Sequence, residues 1–167
     1  MEQQTSFPVS VILEKRPSSS QWADAYWTVI GLIVGESEAD DNATNNDSGM
    51  TLLHSQNDIE QYRYAGLSVT LYKDECESYY HNLMSPKPGC YVITDKEDSE
   101  QPIPFKVSMS FDEAHSYQEG GKEIFAVDIP NELYLWIEAY VLDNYFPEKK
   151  RKRKLNDWKK GGGNIRV

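Results

Sequence analysis

The stretch that decides the fold is AGLSVTLYKDECESYYHNL, residues 65–83. Its first half places Leu67, Val69 and Leu71 at alternate positions, the period-two pattern of a half-buried strand. From Asp74 the period changes. Cys76, Tyr79, Tyr80 and Leu83 then recur at helical spacing on one side, with Asp74 placed to accept a backbone hydrogen bond as the N-cap. A strand running straight into a helix predicts a mixed fold.

Other elements follow on both sides. Downstream, SPKPG (85–89) breaks the chain before CYVITD (90–95), an apolar run of strand length, and IPFKVSMS (103–110) is a further strand. SFDEAHSYQEGG (110–121) reads as a short helix, with Ser110 and Glu113 at capping-box spacing and Gly120-Gly121 at its end. KEIFAVDIP (122–130) is the last strand. Asn131 is placed to cap a final amphipathic helix, in which Leu133, Trp136, Ile137, Tyr140 and Val141 form the apolar stripe.

Upstream, PVSVILEKR (8–16) puts Val9, Val11 and Leu13 on one face of a strand. YWTVIGLIVG (26–35) has the β-branched and aromatic content of a central strand. MTLLHS, from Met50, reads as a short edge strand. ESEADDNATNNDSG (36–49) is acidic and amide-rich without a large hydrophobe, and is expected to be a mobile loop. KEDSEQP (96–102) is another polar loop. There is no steady βαβ alternation. The expected fold is α+β: a mainly antiparallel sheet, curled toward a half-barrel, with two short helices and a C-terminal amphipathic helix. Residues 8–146 form the single domain and 147–167 a basic tail.

Charge divides the chain at the same place. Formal net charge is -10 over 167 residues, yet residues 148–167 carry nine Lys/Arg against Glu148 and Asp157, a net +7, leaving -17 on the rest. Such asymmetry marks an interaction segment, a solvated end, or a tail that folds back onto its own acidic body. A polyanion would be repelled by the body, so only the tail could engage one. Trp158 lies among Lys154, Lys159 and Lys160 and is a candidate anchor in a partner groove. Cations interleaved with an aromatic also suit single-stranded nucleic acid.

Few residues suggest chemistry. There is no GxGxxG or GxxxxGK[ST], and the glycines at 161–163 precede no helix. His54, His81 and His115 lie in separate segments without metal-ligand spacing. Cys76 and Cys90 form neither a CxxC nor a disulfide framework, and are expected to be buried. On a helix, Cys76 and His81 do not face each other. Glu113 has its capping role, and Glu75 and Glu77 look solvated; Trp22 and Trp27 with Tyr26 could form a binding platform, but packing beside the second strand is the expectation. No secretory signal and no membrane-length apolar run is visible, which points to the cytoplasm.

Taken as an ordered set, PVSVILEKRP, Trp22 with YWTVIG, LSVTLYKDECESYYHNLMSPKPGCYVI, KVSMSFDEAHSYQEGG and VDIPNELYLWIEAYVLDNYFPEKKRKRK resemble an uncharacterised family of small bacterial proteins. Members of that family are typically encoded beside molybdenum-dependent formate dehydrogenase. The resemblance covers most of residues 8–154. It matches Glu14, Lys15 and Arg16 to the family's opening strand, with Lys15 in place of a more usual Arg. It also matches Tyr72, Asp74, Glu75, Tyr79 and Leu83 to a strand-to-helix turn, Ala114 and Tyr117 to a short helix, and Lys150–Arg153 to a basic ending. The 36–49 insertion and the extension from Leu155 depart from the pattern.

The resemblance implies an accessory or maturation factor for formate dehydrogenase. Some relatives carry a molybdenum-cofactor biosynthesis label, but the nucleotide-binding glycine motif for such work is missing here. The expectation is therefore a non-catalytic, cytoplasmic module without cofactor or metal. It would bind an acidic protein partner through Lys149, Lys150, Arg151, Lys152, Arg153, Lys154 and Trp158, with nucleic acid as the alternative ligand.

Overall fold

The structure, a computed structural model, describes residues 4–19, 25–35, 50–95 and 101–147. Its elements are β1 (Ser6–Pro17), β2 (Ala25–Val34), β3 (Met50–Gln56), β4 (Ile59–Thr70), α1 (Cys76–Leu83), β5 (Cys90–Asp95), β6 (Ile103–Ser108), α2 (Phe111–Glu119), β7 (Glu123–Val127) and α3 (Asn131–Asn144). A single 3-10 turn, Lys73–Glu75, leads into α1. Seven strands form one sheet in the order β2-β1-β4-β6-β5-β7, with β3 paired to β4 off this path. The two ends of the path approach each other, since β2 contacts β7, and the sheet is nearly closed like a barrel.

The sheet is mainly antiparallel, as expected, but mixed: β4 and β6 run parallel and meet at Val69 and Val107. The reason is that β4 leaves through α1 and the chain returns through β5 before β6 is laid down. The central strand is also not β2, which pairs only with β1 and has Val29 as its one buried residue. In the strand order β4 and β6 occupy the middle, and β1, flanked by β2 and β4, is buried continuously from Val9 to Glu14.

Local chemistry explains the elements. β3 and β4 join through Asn57-Asp58, with φ of 54° and 66°. Positive φ at both central residues is the type I′ signature, and Asn and Asp tolerate it best after Gly. This hairpin starts β4 at Ile59, six residues before the strand read from the sequence. At the start of α1 the N-cap is Glu75, without a side-chain cap bond, and Asp74 lies in the preceding 3-10 turn. Asn131 likewise is the first helical residue of α3, and Pro130 holds the N-cap position. At α2 the expected cap is present: Ser110 Oγ accepts from the Glu113 amide at 3.1 Å.

The core lies between the sheet and two of the helices. Val9, Val11 and Leu13 of β1 meet Cys76, Tyr79 and Leu83 of α1 and Leu133, Ile137, Tyr140 and Val141 of α3 in one cluster. Trp136 completes the α3 stripe at the edge, tilted against Phe7 and donating from Nε1 to the Gln4 carbonyl at 2.9 Å. The α3 stripe is thus as the spacing predicts, yet the helix is not amphipathic in the ordinary sense. Its opposite face carries exposed Leu135 and Leu142.

Candidate functional site

Three places in the described residues concentrate polar or exposed apolar side chains. The first is a cleft of about 210 Å³ between α1 and α2, lined by Ser78, His81, Asn82, Ser85, Tyr91, Phe111 and Asp112. Asn82 forms its floor and is fully engaged. Its Nδ2 donates to the Gly89 carbonyl at 2.8 Å and the Met109 carbonyl at 3.0 Å, and its Oδ1 accepts from the Gly89 amide at 3.1 Å. This amide ties the end of α1 to the strands on either side. Gly89 suits the junction, because a Cβ there would stand 3.3 Å from the Val127 carbonyl oxygen.

Beside it, Ser110 is wholly buried and saturated. Its hydroxyl donates to Glu75 Oε2 at 2.8 Å, and Ser78 Oγ lies 2.9 Å away. With one proton on Ser110 Oγ already directed at Glu75, Ser78 must be the donor in that second pair. Glu75 is therefore a held acceptor and not the solvated carboxylate its sequence context suggested. The aromatic wall is Tyr91 edge-on to Phe111, which in turn stacks on His115. Ser78 and Ser110 engage each other and Glu75, and no imidazole is among their hydrogen-bond partners in the described residues. The cleft is smaller than the roughly 300 Å³ at which small-molecule sites begin.

The second place is the outward face of β1. Ser10, Ile12 and Glu14 point opposite to the core residues, and Glu14 is only 5 % exposed. Its carboxylate accepts from Arg16 Nε and from Gln61 Nε2, the latter at 3.1 Å. Arg63 Nε donates to Ser10 Oγ at 3.1 Å. The Arg16 hydrogen bond outweighs burial and holds the Glu14 carboxyl below the usual range. This is a structural polar ladder that keeps a buried charge paired.

The third place lies where α3 ends. Tyr80 of α1 stacks on Tyr145 with ring centroids 5.2 Å apart. Met84, at the end of α1, is 67 % exposed. Leu142 and Phe146 are exposed on the same end of α3, and Pro147 follows directly. An aromatic and apolar surface therefore sits where the basic segment begins.

The residues singled out from the sequence fall as follows. Lys149, Lys150, Arg151, Lys152, Arg153, Lys154 and Trp158 lie outside the described residues, as do Trp22 and the 36–49 loop. Cys76 and Cys90 are both free and buried. Burial pushes the Cys90 thiol up to about 12 and, with the nearby Asp74, raises that of Cys76. Both are thiols at neutral pH, the unreactive form. His81 and His115 pair with Glu77 and Glu119 one turn away on exposed helix faces, and His54 faces Gln56. Cys76 instead turns its Sγ to the Tyr72 carbonyl, so it does not meet His81. Among the described residues no three His, Cys, Asp or Glu side chains gather to hold a metal. Trp27 packs on Tyr62 and under Lys15, as expected for a residue beside the second strand, and Tyr26 is exposed.

Sequence reasoning passed over Asn82. Its one signal is position: it falls beside Tyr79 and Leu83 in the apolar stripe of α1, just before the SPKPG break. A lone amide there has to find partners from the chain that folds over it.

By fold the molecule is a small α+β protein, whose described residues form a nearly closed mixed sheet and three helices. The chain matches the family model described as Protein of unknown function (DUF3305) over residues 8–154, and it belongs to that family. No curated protein matches it, and neither does any solved structure. Among the described residues no helix is long and apolar enough to cross a membrane.

Proposed function

We propose that this protein is a non-catalytic accessory module of the cytoplasm. It binds an acidic partner protein through Lys149–Lys154, with Trp158 as the anchor. The partner is formate dehydrogenase or a component that assembles it, as the family resemblance implies. The observation that carries the reading is the surface at the root of the basic segment. Tyr80 stacks on Tyr145, Met84 and Phe146 are exposed, and Pro147 next to Phe146 leads into six consecutive cations from Lys149. Exposed apolar surface next to concentrated charge suits a protein partner: the charge speeds encounter and the aromatics supply the lasting contact.

The test replaces Lys149, Lys150, Arg151, Lys152, Arg153 and Lys154 by Gln in the full chain and measures binding to formate dehydrogenase. Each exposed pair is worth at most about 1 kcal/mol, but six together should weaken binding about tenfold or more. The loss should fall on the association rate and vanish near 1 M salt, where the Debye length is about 3 Å. Equal binding by the neutralised and parent chains at low salt refutes the docking role. A steep salt slope for nucleic acid, lost on neutralisation, would favour a nucleic-acid ligand instead.

A further inference from the structure

The outward side of α3 carries a seam that the described residues leave uncovered. Leu135, Ala139 and Leu142 recur at steps of four and three, the spacing that sets apolar side chains in one row along a helix. Phe146 continues the row just past the helix end. Leu135 is 64 %, Leu142 74 % and Phe146 79 % exposed. At about 100° per residue, Glu138 borders the row on one side and Glu132 and Asp143 on the other. A surface helix ordinarily presents polar residues there.

The bordering charges select the occupant. A second copy of α3 would bring its own carboxylates against these, which disfavours self-pairing. A basic segment carrying a few large apolar residues is complementary. Residues 149–160 have that composition, six cations followed by Leu155, Trp158 and two more lysines, and they are tethered at the same helix end. Reach is sufficient. From Glu132 to Asn144 the helix runs about 18 Å, while the eleven residues from Pro147 to Trp158 span up to ~36 Å.

We infer that the outer face of α3 is the resting dock of the chain's own basic segment. By composition Leu155 and Trp158 complement the Leu135–Leu142 row, and the Lys149–Lys154 cations complement Glu132 and Glu138. This goes beyond the partner reading and does not depend on it. Where a partner is present, the segment has to leave α3 to reach it. At a tether concentration on the order of 1 mM, roughly 90 % occupancy requires a contact with Kd of about 0.1 mM.

Carbodiimide coupling of the full chain at low salt, read by mass spectrometry, tests this without any partner. It joins lysine amines to carboxylates only where they touch. Links from Lys149, Lys150, Lys152 or Lys154 to Glu132 or Glu138 at monomer mass are the expected result. Glu132 is the diagnostic site, being at the far end of the helix. The links should fall about tenfold in Leu135→Gln/Leu142→Gln, at the occupancy estimated above. Both side chains are exposed, so the variant should unfold as cooperatively as the parent, with Tm lower by no more than the few degrees that losing the docked segment accounts for. Absence of these links in the parent overturns the inference. So do links that persist unchanged in the variant, since cations alone would then explain them. Links found only between two copies would assign the face to a second molecule and overturn it as well.

Discussion

Replacing Asn82 by Ala should be among the costliest single changes in the protein. The side chain is buried and makes three hydrogen bonds, to the Gly89 amide, the Gly89 carbonyl and the Met109 carbonyl. Alanine removes all three at once and strands the backbone groups where water cannot easily reach them. A net hydrogen bond is worth about 1 kcal/mol, and an orphaned buried group costs about 1–3 kcal/mol. Partial rescue by water entering from the adjoining cleft reduces the sum, which leaves about 3 kcal/mol. For a domain of this size that corresponds to a fall in Tm of roughly 10 °C.

The assay is urea unfolding followed by far-ultraviolet circular dichroism, with calorimetry for Tm. Asn82→Asp separates polarity from volume, since it keeps the shape and the acceptor for the Gly89 amide but sets a carboxylate against two carbonyls. Its neutral form is favoured in the fold, so the folded-state pKa is raised. The variant should therefore be least destabilised in acid and lose stability as pH rises through that pKa. A loss below about 0.5 kcal/mol for Asn82→Ala, the size of an ordinary surface change, would refute the pinning role.

Two further outcomes follow from the polar and thiol chemistry. Arg16 and Gln61 lower the Glu14 carboxyl against the opposing effect of burial, so this group adds stability above its unfolded pKa. That stability is lost as pH falls through the lower folded value, and Glu14→Gln should show a smaller acid loss than the parent in melts from pH 7 to pH 2. Cys76 and Cys90 are buried with raised pKa values, Cys90 up to about 12. Both should resist a colorimetric thiol reagent at pH 8 in the folded protein and react fully in denaturant. Rapid labelling of either thiol in the folded state would show that it is accessible after all.

Much of the secondary structure was legible from local pattern, and its failures are informative. Ser110 capping α2 and the buried stripe of α3 follow from residues within a turn or two of each other. The hairpin at Asn57-Asp58 was missed although its residues are the type that accept positive φ, because NDIEQYRY has no clean alternation. Burial is intermediate at every residue from Ile59 to Ala65, with Tyr62 and Tyr64 packed at the edge of the core. Asp74 was read as a cap from its place before the apolar stripe. In the structure the chain makes a 3-10 turn first, and Glu75 is drawn to Ser110 thirty-five residues away. Of the candidate places, the basic segment was plain in the charge count. The aromatic surface at its root was not, since Tyr80 and Tyr145 meet only when α1 packs on α3.

The sequence by itself determined the kinds of element and their order, because periods of two and 3.6 residues are set by neighbours along the chain. It also determined the opposition of an acidic body and a basic end, which depends on composition alone. Only the tertiary structure decided that β1 and not β2 is the continuously buried strand, that β4 and β6 run parallel, and that the sheet nearly closes. It likewise decided that Asn82, Glu14 and Glu75 are held, and that Leu135 and Leu142 stay outside. The physical reason is the same in each case. Pairing, closure and burial are settled by contacts between residues far apart in the chain, and a side chain's own type does not record which distant partner will cover it.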